Sequence, residues 1–224
     1  MLFVVNASSG NRLTNYLLMI RTELDLKKIT KFEDIEIPGI KYIPHYINVA
    51  EQNQLLNIVD QQVWSTDSTE LKRRIQQHGY RLDYKKGILV ASSYLGPLPD
   101  WAGSIARRLS SDRLTTTVLD QLTVNEYLPG QGVRSHIDCV TCFGDTIVSL
   151  SLGSSCAMEF THSRTKAKAE IILSPGSLLV IQGAARYAWT HSIAARKRDK
   201  YQGREFLRTR RVSLTFREAL FPHK

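Results

Sequence analysis

What this chain lacks narrows it before any motif does. No stretch approaches the roughly 20 consecutive apolar residues that a membrane-spanning helix requires. The opening apolar run, Met1 to Val5, is too short for a secretory signal and has neither a basic flank nor a small-residue cleavage site. Cysteine is scarce and odd in number. Cys139, Cys142 and Cys156 cannot build a disulfide framework, which points to a reducing compartment and a cytoplasmic protein. Acids are outnumbered, with 21 Asp and Glu against 30 Lys and Arg, so the formal net charge is +9. An excess of that size attracts polyanions by long-range steering and counterion release, and nucleic acid is the first partner it suggests.

What is present reads as one folded unit. Among 224 residues, 42% are hydrophobic and 23% charged, a globular balance with room for one sizeable core and none for a second large domain. Residues 1–35 carry short apolar patches with Lys27, Lys28 and Lys31 and read as an N-terminal extension; the main domain is expected over 36–220. Ile40-Lys41-Tyr42-Ile43 looks like a strand stopped by Pro44. Asn48 with Glu51 three positions on predicts a capping-box start for a helix bearing Leu55, Leu56 and Val59. Asp100 is the expected cap of a second helix, with Ile105 and Leu109 inward and its arginines outward.

From Gln121 the pattern turns to short β runs. Eight are expected: 122–127, 134–138, 146–152, 157–161, 169–173, 178–182, 187–193 and 211–217, punctuated by Pro129-Gly130, Gly153, Pro175-Gly176 and Gly183. Eight closely spaced strands without intervening helices predict a two-sheet jelly roll, making the whole an α+β fold with N-terminal helices packed on one sheet. Residues 196–211 form one dense charge run of eight Lys or Arg and two acids, expected as a surface loop.

The chemistry gathers in that β half. In Ser135-His136-Ile137-Asp138, His and Asp are two apart, so on a strand both leave the same face. One more imidazole completes a two-His, one-carboxylate facial triad that leaves open positions on iron, and His191 is the candidate. Far along the chain, Arg211 to Arg217 alternates strictly. Arg211, Ser213, Thr215 and Arg217 share one face, and Val212, Leu214 and Phe216 the other. A buried row of arginines and hydroxyls needs an anion, and a carboxylate suits a guanidinium fork.

With these residues in place, the segment from about Ile40 to Leu220 resembles the AlkB-like Fe(II)/2-oxoglutarate dioxygenases. Asn125-Glu126-Tyr127 is similar to the family's Asn-x-Tyr, His136-Ile137-Asp138 to its His-x-Asp, Trp189-Thr190-His191 to its distal histidine, and Arg211 through Arg217 to its Arg-x5-Arg. The resemblance implies that His136, Asp138 and His191 ligate Fe(II). It also implies that Arg211 with Asn125 and Tyr127 holds 2-oxoglutarate, while Arg217 supports the metal-proximal end. Dioxygen would be the second co-substrate, and oxidative decarboxylation to succinate would drive hydroxylation of a C–H bond. Six strand residues span roughly 20 Å, longer than a five-carbon diacid, so one arginine is expected at the distal carboxylate and the other near the metal.

For substrate, Leu71 to Tyr80 resembles the family's nucleotide-recognition lid, which nominates Arg73, Arg74, Gln76, His78 and Tyr80 as contacts to phosphate or base. Trp64 and Tyr84 are candidate stacking surfaces. The implied activity is hydroxylation or oxidative demethylation of alkylated or modified bases in DNA or RNA. Val140 stands where repair-type members often carry an acid, and the segments 147–153 and 186–191 resemble the branch that hydroxylates wobble uridines in tRNA. A protein or small-molecule substrate, or a non-catalytic cupin-like binding module, are the alternatives. Cys139 and Cys142 are expected as two ordinary thiols, and the protein as a monomer.

Overall fold

The computed structural model describes residues 36–65, 73–201 and 203–221; the expected N-terminal extension, residues 1–35, lies outside them. In chain order the elements begin with β1 (Ile40–Ile43), α1 (Val49–Asp60), β2 (Ile75–His78), α2 (Asp100–Ser111) and β3 (Gln121–Tyr127). They continue with β4 (Val133–His136), β5 (Phe143–Gly153), β6 (Cys156–His162), β7 (Lys168–Leu173) and β8 (Leu178–Ile181). A short helix α3 (Gly183–Tyr187), β9 (Trp189–Ile193), β10 (Arg198–Tyr201), β11 (Arg204–Leu207) and β12 (Arg211–Ala219) complete the order.

Two antiparallel sheets make the jelly-roll core. The larger runs β1-β8-β5-β12-β3-β2 and the smaller β4-β9-β6-β7, with β10 and β11 pairing as a separate hairpin. Strand β12 is flanked on both sides, by β3 and by β5, so every residue from Arg211 to Arg217 has a partner in each neighbour. Its alternation decides which layer each side chain enters. Val212, Leu214 and Phe216 join Leu122, Val124, Val148, Leu150 and Val180 in a core sealed by Leu55 and Val59 of α1 and Ala102, Ile105 and Leu109 of α2. Arg211, Ser213, Thr215 and Arg217 point the other way, into the space between the sheets.

Local signals work to different degrees. Asn48 caps α1 as expected, accepting the Glu51 N–H at 2.9 Å, while the Glu51 carboxylate reaches across to Arg108. Asp100 is not the cap of α2. Pro99 occupies the cap without a side-chain bond and Asp100 opens the first turn, where its charge favours the positive helix end. Arg107 is exposed as expected, but Arg108 is drawn in by Glu51 and lies against the Tyr46 ring. Helix α3 interrupts the expected all-β run, so the strand predicted from Tyr187 starts at Trp189. The strand expected to reach Asp138 ends at His136.

Cys139 and Cys142 are a correction. They close a disulfide instead of standing as two free thiols, because the turn after β4 brings their Cα atoms to 5.2 Å; Cys156 is free and buried. The inference of a reducing compartment loses that premise. No helix among the described residues is long and apolar enough to cross a membrane.

Candidate metal centre and co-substrate cavity

The registry of the smaller sheet sets the centre. His136, the last residue of β4, is the direct cross-strand partner of His191 in β9, so two residues 55 positions apart present their imidazoles together with ring centroids 4.3 Å apart. Asp138 follows two residues past the strand end and turns its carboxylate back onto them. Its Oδ1 lies 3.3 Å from His136 Nε2 and 3.9 Å from His191 Nε2, and ligand atoms of the three residues all fall within 4.8 Å of one another.

The protonation states suit a cation. His136 Nδ1 donates to the Arg134 carbonyl at 2.8 Å, which orients the ring with Nε2 toward the Asp138 carboxylate. Burial pushes the His191 pKa down to about 4, opposed by Asp138 and reinforced by His136, Arg217 and Arg186, so that ring is neutral near pH 7. Burial works to raise the Asp138 pKa but is outweighed by the Arg217 guanidinium, with His136 and His191 adding, and the carboxyl is held well below its usual range. Two imidazole nitrogens and a carboxylate oxygen crowd together there. A divalent cation resolves that crowding, and two histidines with one carboxylate are the donor set for Fe(II).

Asp138 is held from two sides. Arg217 donates Nε to Asp138 Oδ2 at 2.8 Å and steadies its own fork on Gln121 and Thr123. Arg186, from α3 and only 2% exposed, donates to the main-chain oxygens of Asp138, Cys139, Phe143 and Gly144. Arg186 was missed as a positioning residue. Its one sequence signal was a lone cation inside the apolar stretch from Leu178 to Trp189.

A cavity of about 350 Å³ opens over the triad between the two sheets. That volume falls within the range small-molecule sites occupy. Arg211, 3% exposed, stands in its wall with one nitrogen bonded to Ser151 and its Nε buried without a partner. A buried guanidinium N–H without a partner in the wall of a cavity fits a carboxylate ligand. Asn125 and Tyr127 line the same cavity, as expected of side chains two apart on β3. Arg217 and Arg211 thus stand at separate stations along one strand, the first on a triad residue and the second beside Ser151.

The residues nominated for substrate separate. Arg73 lines the cavity, donating to Asn125. Arg74 pairs with Glu126 and lies over Trp64, away from the cavity. Gln76 is buried, donating to the Val59 carbonyl. His78 meets the edge of Trp101, and Tyr80 packs against Tyr94 and Phe221. Residues 75–78 are strand β2, paired with β3, and Leu71 and Lys72 lie outside the described residues. Of the two stacking candidates, Tyr84 lines the cavity and Trp64 packs against the helix–sheet core.

The family model described as the 2OG-Fe(II) oxygenase superfamily matches residues 39–217, a span that contains the triad and both arginines. The chain belongs to the AlkB-like 2OG-Fe(II) oxygenases. This oxygenase is similar to an Arabidopsis thaliana protein named alkylated DNA repair protein ALKBH8 homolog, at 38% identity over 83% of this chain and 59% of the relative. It is also similar to the Mus musculus tRNA (carboxymethyluridine(34)-5-O)-methyltransferase ALKBH8, at 36% identity over 75% of this chain and 26% of that protein. The oxygenase therefore spans less than two thirds of either relative. A solved structure of OsALKBH1 superposes with a TM-score of 0.61 at 17% identity, covering 84% of this chain and all of that one, a likeness of fold. Fe(II) and 2-oxoglutarate are the family's metal and co-substrate, and the oxygenase is an oxidoreductase.

Proposed function

We propose that this oxygenase hydroxylates a modified base in nucleic acid, with the wobble uridine of tRNA as the first candidate, and that the activity resides in residues 36–220. The carrying observation is the convergence of His136, Asp138 and His191 at a cavity whose wall holds Arg211 with its Nε buried and without a partner. When bound, Fe(II) with 2-oxoglutarate supplies the oxidising chemistry, in which one oxygen atom of O2 enters succinate as CO2 leaves and the other enters the substrate C–H bond. The protein's share is orientation and water exclusion. His136, Asp138 and His191 hold the metal; Arg217 and Arg186 fix where the Asp138 carboxylate stands; Arg211 with Asn125 and Tyr127 holds the distal carboxylate of the co-substrate.

Two observations favour nucleic acid over a peptide or metabolite. The chain's net charge is +9, and the two ALKBH8-named relatives carry DNA repair and tRNA carboxymethyluridine in their names. The test is mass spectrometry of modified tRNA and methylated oligonucleotides after incubation with the protein, Fe(II), ascorbate and 2-oxoglutarate. Gain of one oxygen on a tRNA wobble uridine is expected. Succinate formed without any change in tRNA or oligonucleotide would turn the assignment to another substrate class, and loss of methyl groups from oligonucleotides alone would turn it to base demethylation.

A further inference from the structure

Arg73 was expected at nucleic acid, yet its surroundings belong to the co-substrate end of the cavity. It donates Nε to Asn125 Oδ1 at 3.0 Å, and its guanidinium carbon lies 5.2 Å from the centre of the Tyr127 ring. The Arg211 guanidinium lies 5.3 Å from the centre of that same ring. Tyr127 is thus approached by two cations, and all four side chains line the cavity. Neither arginine makes an ion pair among the described residues, and the two Nη groups of Arg73 make no hydrogen bond there. The one carboxylate lining the cavity, Asp138, is taken by Arg217 and the histidines.

The position of Arg73 is built, not incidental. Its neighbour Arg74 pairs with Glu126 and rests on Trp64, so successive arginines fasten onto successive residues of β3, one on the cavity side and one on the other. With Nε committed to Asn125, the Arg73 fork keeps two donors for a ligand, in the partly desolvated surroundings where like charges repel and an anion between them is favoured.

We propose that Arg73 is a second cationic residue of the co-substrate subsite, bracketing with Arg211 the carboxylate of 2-oxoglutarate that lies away from the metal ligands. This rests on the assignment of Arg211, Asn125 and Tyr127 to 2-oxoglutarate. It makes the entry to β2 part of the co-substrate site.

The test is calorimetric binding of 2-oxoglutarate, and of 2-oxopentanoate, which has the same chain length without the distal carboxylate, to protein loaded with Mn(II) in place of iron. Arg73→Gln is expected to weaken 2-oxoglutarate binding about tenfold or more, as loss of a charge-assisted hydrogen bond does. It should leave 2-oxopentanoate unchanged. Arg73→Lys should show a smaller loss confined to 2-oxoglutarate, and it decides the matter should the Gln variant fail to fold. Arg74→Gln is the control and should bind both acids as the wild type does. Equal weakening of both acids would reduce Arg73 to a structural role. Unchanged 2-oxoglutarate binding with weaker, less salt-dependent RNA binding would return Arg73 to the nucleic acid. Failure of the wild type to bind 2-oxoglutarate at all would instead overturn the underlying site assignment.

Discussion

Asp138 and Asp199 are both buried carboxylates facing arginine, in different parts of the molecule, and they differ in what is left over. Asp199, in the β10–β11 hairpin, is saturated. Its Oδ1 accepts from Arg196 Nε and Arg208 Nη2 at 2.6 Å each, and its Oδ2 from Arg208 Nε at 2.5 Å and the Ala157 N–H at 3.1 Å. Asp138 meets a single arginine through Oδ2, and its Oδ1 faces one nitrogen of each of two histidines, at 3.3 and 3.9 Å. In both, Arg partners hold the carboxyl below its ordinary pKa against the opposing effect of burial. The same ion-pair chemistry therefore makes a structural knot where every acceptor site is filled and a ligand site where one oxygen is kept back.

The contrast can be broken most sharply at activity. Asp138→Ala is expected to abolish succinate formation, while its melting temperature falls less than that of Asp199→Ala, because Arg217 keeps Gln121 and Thr123 as partners. Turnover within tenfold of wild type in Asp138→Ala would remove Asp138 from the metal set. The reverse pattern belongs to Asp199→Ala, which strands the buried Arg208 while Arg196 keeps Glu159 and Glu170, and is expected to cost about 3–5 kcal/mol in denaturant unfolding, with the folded fraction still turning over. An unchanged unfolding midpoint would show the knot to be ornamental. Next in size, Arg217→Gln should weaken metal affinity by about 10–100-fold, the usual effect of removing a partner that orients a ligand. Metal titration reads it directly.

A pH series sharpens the comparison further. The folded Asp199 carboxyl titrates below its unfolded value of about 3.9, so its contribution is complete above that pH and is lost as pH falls through the folded pKa. Wild-type stability should drop on acidification below about pH 4, and the Asp199→Asn curve should be flatter there. The smallest effect is expected at Arg74→Ala. Its partly exposed pair with Glu126 is backed by Arg210, which also donates to that carboxylate, so the change in stability should stay within about 1 kcal/mol.

How far the sequence could be read depended on whether a side chain's fate follows from its near neighbours. The face assignment on β12 needed only the alternation from Arg211 to Arg217, and the structure has it. The cap at Asn48 needed only Glu51. By contrast, the meeting of His136 with His191 is a cross-strand register between β4 and β9, and no spacing along the chain specifies it. The motif resemblance supplied that link instead. The charge run was expected as a surface loop because such runs usually are, and many of its side chains are exposed, but the segment pairs as a hairpin and Asp199 with Arg208 is buried against it. Likewise Arg73 to Tyr80 has the composition of a lid, and pairing with β3 makes Ile75–His78 within it an edge strand. In each a long-range partner set the surroundings of a charged residue.

Arg186 grips the turn after β4 by carbonyl oxygens, a group that every amino acid supplies. The anchor is consequently blind to the spelling of the turn it secures. Val140 and Thr141 lie exposed on that turn, two and three positions past the metal-facing aspartate. Descendants of this scaffold can rewrite those letters, and with them the rim a substrate meets, without retuning the ligand beneath.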